Sequence, residues 1–373
     1  MRLWRPLAVS ASAVRRPTAR LHHGAAREPL TILFCGSDDF SIASLRALDH
    51  ARRHVPGLIA SIHVVHRPPK PAGRGLKTLR DVPIQHVATQ ELDLPTHVID
   101  TFTGWSPPVS VSLVVAVSFG LFVPPRILHL AKYGGLNVHP SLLPDLRGPA
   151  PVEHAILTRR QRTGVSIQTL HPRHFDRGTV LAQTPAPGIP IPPNTTASAL
   201  EAELALVGAH MLVDLLQSGK YMAPHKDEAW YAASNLPVAH APKTTKQDRQ
   251  IRFEHTTLDH VLAVQRALGD PWCMLSNGHR LLLHAIAPSD HSTTTITRMP
   301  PEHPGLWIRH GARCLFLRAT CGRVGLVTSS TYPGGKRGRG NAKVLNMLSH
   351  TITSPHGSHH DPDHLAWQRV DEH

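Results

Sequence analysis

The run Val111-Ser112-Leu113-Val114-Val115-Ala116-Val117 is the segment that most narrows the choice of fold. It is far shorter than the roughly 18 apolar residues that cross a bilayer. It is too continuous for a strand with one wet face, and it suits a strand buried on both sides. Such strands belong to parallel sheets covered by helices. Similar runs recur at Thr31–Cys35, which ends at Gly36, and at Leu58–Val65, Leu136–His139 and Gly164–Leu170. Helical patterns separate them. Ser37, Asp38 and Asp39 offer caps for a helix carrying Phe40, Ile42, Ala43, Leu45 and Leu48, and Pro149–Arg159 accepts proline in a first turn. The alternation predicts an α/β domain with a mostly parallel sheet.

The spacing of Leu200, Leu204, Val207, Met211 and Leu215 predicts a packed helix over Asn194–Gln217, stopped at Gly219. Residues 221–242 have no sustained period and read as a linker. Beyond them a helical stretch (Leu258, Val261, Leu262, Val264–Leu268) precedes short strands at Arg280–His284, Gly305–Ile308, Cys314–Ala319 and Val324–Thr328. Short strands with turn signals between them predict a small barrel. The chain therefore divides into 1–28, an α/β domain at 29–220, the linker, a barrel at 243–348, and a disordered His-, Pro- and Ser-rich tail at 349–373. No GxGxxG fingerprint or P-loop occurs, and the four cysteines form no CxxC pair. Nothing points to a dinucleotide, a structural zinc or a disulfide framework.

Charge separates the ends from the middle. Six arginines and one glutamate within residues 1–29 give a local charge of +5, which leaves +9 of the total +14 to the remainder. The Arg-rich, acid-poor opening fits a mitochondrial transit peptide, and a disordered basic tail would have a similar composition. The remaining +9 favours a polyanionic partner such as nucleic acid.

Chemistry concentrates at Asn137-Val138-His139-Pro140-Ser141-Leu142-Leu143-Pro144. Residues two apart on a strand face one side. Asn137 and His139 thus present an amide and an imidazole together, beyond the carboxyl end of a strand, where open α/β sheets bind ligands. Isolated Asn and His residues at strand ends are more often turn or capping groups, and most of the 29 histidines must be catalytically silent.

The surrounding pattern resembles the methionyl-tRNA formyltransferase family, within the larger group that uses 10-formyltetrahydrofolate. The resemblance rests on Asn137-x-His139, Ser141-Leu142-Leu143-Pro144, Arg147-Gly148-Pro149-Ala150-Pro151, Thr163-Gly164-Val165-Ser166, Asp176-x-Gly178 and Val117-Ser118-Phe119-Gly120. It implies a Rossmann-like formyltransferase domain followed by a small OB-like β-barrel. It also implies a catalytic trio of Asn137, His139 and Asp176, with folate held by Phe119, Gly120, Ser141, Leu142, Leu143 and Pro144. Folate is then a co-substrate, with no tightly bound cofactor and no metal. A positioned amide would stabilise the oxyanion growing on the formyl group. A histidine oriented by a carboxylate would move protons between the two nitrogens.

The acceptor is read from other features. Pro71–Lys77 resembles the family's basic loop, which puts Arg74 and Lys77 near a tRNA acceptor end. Ala241-Pro242-Lys243-Thr244-Thr245-Lys246 resembles the start of its second domain, and the glycine-basic run contributes Lys336, Arg337 and Arg339. The implied activity is formylation of initiator methionyl-tRNA for translation initiation, by a monomer in the mitochondrial matrix. A formyltransferase for a small amine such as an amino sugar, and a non-catalytic RNA-binding homologue, are the alternatives. The chain departs from the family pattern at Asp145, at His240 and at His174-Phe175, which stand where the family has a basic residue, Tyr and Gly-Leu.

Overall fold

The computed structural model describes residues 28–72, 75, 78–80, 82–275, 277–289, 304–308 and 315–344. Arg74, Lys77, Cys314, residues 1–27 and the 349–373 tail lie outside the described residues.

The chain begins with strand β1 (Leu30–Cys35), helix α1 (Asp39–His54) and strand β2 (Ile59–His66). Asp38 caps α1 in a reciprocal box: its carboxylate accepts from Ser41 N–H, and its own N–H donates to Ser41 Oγ. A short hairpin follows, β3 (Lys70–Ala72) and β4 (Thr78–Arg80), then α2 (Pro83–His86), which runs into a π turn at Val87–Glu91. Next come β5 (Thr96–Val98), β6 (Leu113–Ala116), α3 (Pro125–Leu128), β7 (Gly135–His139) and α4 (Pro151–Leu157). Strands β8 (Arg162–Thr163), β9 (Ser166–Thr169), β10 (Val180–Gln183) and β11 (Ile189–Pro190) lead to the long helix α5 (Ala197–Ser218).

Seven strands form the central sheet in the order β10-β9-β7-β6-β1-β2-β5. The five from β7 to β5 are mutually parallel, β9 runs against them, and β10, antiparallel to β9, returns to their direction. After β1, the chain adds strands on one side through β2 and β5, then crosses to the other side with β6. That reversal opens a crevice beyond the carboxyl ends of β1 and β6.

The stripe expected on α5 is turned. Its buried line runs through Leu200, Leu204, Gly208, Leu212 and Leu215, while Val207 and Met211 sit at the edge. Gly208 explains the shift. A Cβ there would lie 2.8 Å from Val138 Cγ1, so the helix backbone itself rests on β7.

The C-terminal unit contains α6 (Leu258–Leu268), β12 (Trp272–Met274), β13 (Arg280–Pro288), β14 (Gly305–Ile308), β15 (Leu315–Arg318) and β16 (Val324–Thr331). Its five strands pair antiparallel in the order β12-β13-β16-β15-β14, a curled sheet of the small barrel-like kind. Leu258 and Val261 of α6 fill its core with Leu281, Leu283, Leu315 and Val327. Ala263 and Ala267, on another face of α6, belong to the core of the first unit. One helix thus serves two cores. No helix among the described residues is long and apolar enough to cross a membrane.

Residues 239–241 are strapped along the loop after β7. Leu146 N–H donates to Ala239 O at 2.8 Å, Ala241 N–H to Arg147 O at 2.7 Å and Ala150 N–H to Ala241 O at 3.3 Å. Asp145 fixes the strap. Its buried carboxylate receives two bonds from Arg160, at 3.0 and 3.1 Å, and one from Ala239 N–H at 2.8 Å. Removing one partner of such a pair leaves the other charge uncompensated. Asp145→Ala is therefore expected to cost about 3–5 kcal/mol of unfolding free energy in urea titration. A loss under about 1 kcal/mol, the range of exposed pairs, would show that the strap does not depend on it.

Candidate active site

The crevice at the strand reversal is a cleft of about 650 Å³. Its walls include Asp38, Ser118–Val123, Asn137–Pro140, Gln168–His171 and His174–Asp176. Asn137 and His139 reach it from the end of β7, as period-two spacing requires. Asp176 comes from the turn after β9, and the three meet.

Asn137 Nδ2 donates to Ala116 O at 3.0 Å, and its Oδ1 accepts from Gln168 Nε2 at 3.3 Å. An amide nitrogen carries two hydrogens, so one remains for the cleft. His139 is buried, and its Nε2 lies 3.1 Å from Leu146 O. A carbonyl only accepts, so Nε2 holds the proton of the neutral ring and Nδ1 is left bare. Nδ1 faces Asp176 Oδ1 at 3.6 Å. A proton taken up at Nδ1 would therefore sit beside a carboxylate.

Asp176 occupies a left-handed backbone conformation, φ 52°, which aspartate tolerates better than most residues. Its Oδ2 accepts from Gly148 N–H at 3.0 Å, its Oδ1 from Gln168 Nε2 at 3.2 Å, and its carbonyl from Arg147 Nε at 2.8 Å. Gly178 must be glycine, since a Cβ would fall 1.7 Å from Thr169 O. That close approach accounts for the Asp-x-Gly spacing. Burial, and then the Arg177 charge, pull Arg147 below the ordinary arginine value, while Asp176 opposes the shift.

Gln168 is the residue that the sequence did not single out. It lies directly opposite Asn137 in the β7–β9 register and bonds Asn137, Asp176 and the Gly178 N–H. The signal was present in Thr163-Gly164-Val165-Ser166 and the residues after it, but only an antiparallel pairing aligns Gln168 with Asn137.

The residues expected for folate divide into two groups. Phe119 and Gly120 line the cleft. Ser141, Leu142 and Leu143 are buried beneath the loop, and with Pro144 they are absent from the cleft wall. They shape the loop instead: Ser141 Oγ donates to Asp145 O at 2.7 Å, and Leu143 N–H to Ser166 Oγ at 3.0 Å. Lys243 and Lys246 are exposed beside the C-terminal unit. Lys336, Arg337 and Arg339 are exposed on the turn after β16. That turn is anchored by Gly338 N–H donating to Thr331 Oγ1 at 3.0 Å and by Arg337 pairing with Asp270 at 3.4 Å. The structure therefore gathers the trio at one cleft and places these five basic residues on the surface outside its wall.

A family profile described as formyl transferase matches residues 30–216, half of the chain, including the whole cleft sheet. The chain belongs to the formyl transferase family. It is 34% identical over 246 residues to the mitochondrial methionyl-tRNA formyltransferase of Bos taurus, which covers 65% of this chain and 58% of the relative. The human mitochondrial protein of that name matches at 34% over 247 residues, with the same coverage. The chain thus spans about 58% of the length of these mammalian formyl transferases. A protein of Schizosaccharomyces pombe named putative methionyl-tRNA formyltransferase is 30% identical over 288 residues, 71% of this chain and 80% of that one. Among solved structures, the sugar 3N-formyl transferase WlaRD superposes with a TM-score of 0.54 at 12% identity, covering 83% of this chain and 100% of that one. The N-formyltransferase of Helicobacter canadensis gives 0.51 at 13%, over 80% and 98%. These two likenesses establish the shared fold.

Two expectations test this site of the formyl transferase. Gln168→Met keeps the length and removes three hydrogen bonds. Each polar group left buried and unpaired costs about 1–3 kcal/mol, so unfolding free energy should fall by at least that much in chemical denaturation. A neutral result would remove Gln168 as the organiser. Glu201, on α5 at the cleft rim, is raised above the ordinary glutamate value, first by burial and then by Asp38, Glu153 and Asp39. A raised carboxyl stabilises the fold while it holds its proton, and that contribution is lost as pH rises through the folded-state value. Glu201→Gln should melt at a higher temperature than the parent near neutral pH, with the gap closing in acid. Equal melting temperatures at neutral pH would refute the shift.

Proposed function

We propose that the chain transfers the formyl group of 10-formyltetrahydrofolate to the α-amino group of initiator methionyl-tRNA, acting as a monomer in the mitochondrial matrix. The observation that carries the reaction is the paired geometry at the end of β7. One amide hydrogen of Asn137 is free toward the cleft, and one bare imidazole nitrogen of His139 stands beside Asp176.

Attack by an amine on a formyl carbon puts negative charge on the formyl oxygen. The free Asn137 hydrogen stabilises that charge as it develops. The attacking nitrogen must lose a proton, and the folate nitrogen must gain one when its bond to the formyl carbon breaks. His139 Nδ1 takes the first proton and supplies the second, and Asp176 steadies the imidazolium between those events. Gln168 keeps the amide and the carboxylate in register. Phe119 and Gly120 contribute the cleft wall beside the folate, over the loop that Ser141, Leu142, Leu143 and Pro144 shape.

The choice of acceptor is supported by the names of the mammalian and yeast relatives. The Arg-rich presequence and the mitochondrial names of the mammalian relatives support the compartment. We assign RNA contact to Arg74 and Lys77, which stand between β3 and β4 in the sequence, and to Lys243, Lys246, Lys336, Arg337 and Arg339 around the barrel. WlaRD was crystallised with 5-N-formyl-THF, and a reduced folate in a cleft of this fold is consistent with that.

Purified protein given labelled 10-formyltetrahydrofolate and charged initiator tRNA should place label on methionine. Transfer to a nucleotide-linked amino sugar instead would overturn the assignment. Asn137→Ala should lower kcat about 10²–10³-fold. His139→Ala and Asp176→Ala should each lower it by about 10²–10⁴-fold with the fold intact by circular dichroism. Full turnover in any of the three would remove that residue from the mechanism.

A further inference from the structure

The turn that delivers Asp176 also pushes an aromatic ring into solvent. Phe175 is 63% exposed, while the other seven phenylalanines are buried or half-buried. The exposure is built in. On one side, the N–H groups of Arg173 and His174 both donate to His171 Nδ1, at 3.1 and 3.2 Å, which closes the turn on that imidazole. On the other side, Asp176 is held through both carboxylate oxygens and its carbonyl. Phe175 lies between the two anchors and faces the cleft rim. There it meets Phe122 edge to face, with ring centroids 5.2 Å apart and planes at 82°. Both rings line the cleft, as do His171 and His174. Arg173 and Arg177 flank the ring in sequence, and both are exposed.

Leaving a phenylalanine wet forgoes burial energy unless a ligand covers it. An exposed aromatic among cationic side chains is the arrangement that stacks a base while holding its backbone phosphates. We infer that Phe175 and Phe122 form a lip that stacks the base of the acceptor RNA's terminal nucleotide, with Arg173 and Arg177 beside its phosphate. The inference rests on the reaction proposed above and adds a subsite to it. Connectivity favours the base over the folate aryl ring. The aryl ring is bonded directly to the nitrogen that carries the formyl group, so it lies at the reacting atoms beside His139. The terminal base is separated from the reacting amine by an aminoacyl ester and a ribose, which places it at the rim.

The test compares the full chain with Phe175→Ala and Phe175→Tyr, using charged initiator tRNA and a charged tRNA whose terminal nucleotide lacks its base. The alanine variant should raise KM for normal charged tRNA roughly fivefold or more. KM for 10-formyltetrahydrofolate and the melting temperature should be unmoved, and tyrosine should restore the parent value. On the abasic acceptor, parent and alanine variant should be equally poor. A rise in KM for the folate with none for tRNA would hand the lip to the folate and overturn the inference. An unchanged KM for tRNA, or a further loss by the variant on the abasic acceptor, would overturn it as well. Failure of the parent to formylate normal charged tRNA would overturn the proposed reaction itself. An active parent with an unmoved variant would overturn the lip alone.

Discussion

The 3.1 Å contact between His139 Nε2 and Leu146 O determines what this site can do. Because the carbonyl can only accept, it selects the tautomer and turns the bare Nδ1 toward Asp176. The carbonyl is itself placed by an unusual turn. Leu146 has a φ of 55°, a conformation that a branched apolar residue seldom adopts and that its surroundings must hold. Its N–H is bonded to Ala239, and its side chain is packed against Ala155 and Ala241. Asp145, one residue earlier, joins Arg160 to the same strap. The protonation geometry of the histidine thus depends on a segment almost a hundred residues away. That segment also places His240 on the cleft wall.

The parallel half of the sheet was legible because doubly buried strands need continuous apolar runs, and Thr31–Cys35 and Val111–Val117 supply them. Asn137 and His139 were legible from period-two spacing, and α1 from its cap at Asp38. What escaped had no local signal. Gln168 is one glutamine on a strand, and only the antiparallel pairing with β7 reveals its place. The strap at 239–241 has no period, because its bonds are made to a distant loop rather than within an element. The five residues Ala285–Ser289 continue and leave β13 past two register breaks between Leu283 and Ile286, and such breaks erase the alternation that marks a strand. The buried face of α5 turns away from Val207 and Met211 because apolar spacing does not reveal the close approach of Gly208 to Val138.

The loop after β7 shows how a motif beside a cleft can also serve the fold. Ser141, Leu142 and Leu143 recur in the family pattern, and a recurring motif beside a site suggests contact with the ligand. Here their polar groups bond Asp145 and Ser166, and their side chains are buried. They hold the turn that places Leu146 O. On this geometry the motif constrains the histidine's hydrogen bond through the turn.

The two units are joined by more than a tether. α6 gives Leu258 and Val261 to the barrel core and Ala263 and Ala267 to the first core, so the barrel cannot swing away without exposing apolar surface on α6. The strap adds backbone hydrogen bonds along the loop after β7. In the proposed reaction an RNA gripped on the barrel must present one amine at His139. A loose linker would spread that amine over a large volume and dilute its effective concentration. In that proposed reaction, a barrel fixed by a shared helix, and a linker bonded to the loop that orients the imidazole, would hold the acceptor and the proton relay in one rigid frame. Rigidity of this kind favours near-attack placement, where small displacements are costly in rate. The buried pair Asp145–Arg160 ties the strap to the first unit through Ala239 N–H and Pro237 O, a directional hold that apolar packing does not give.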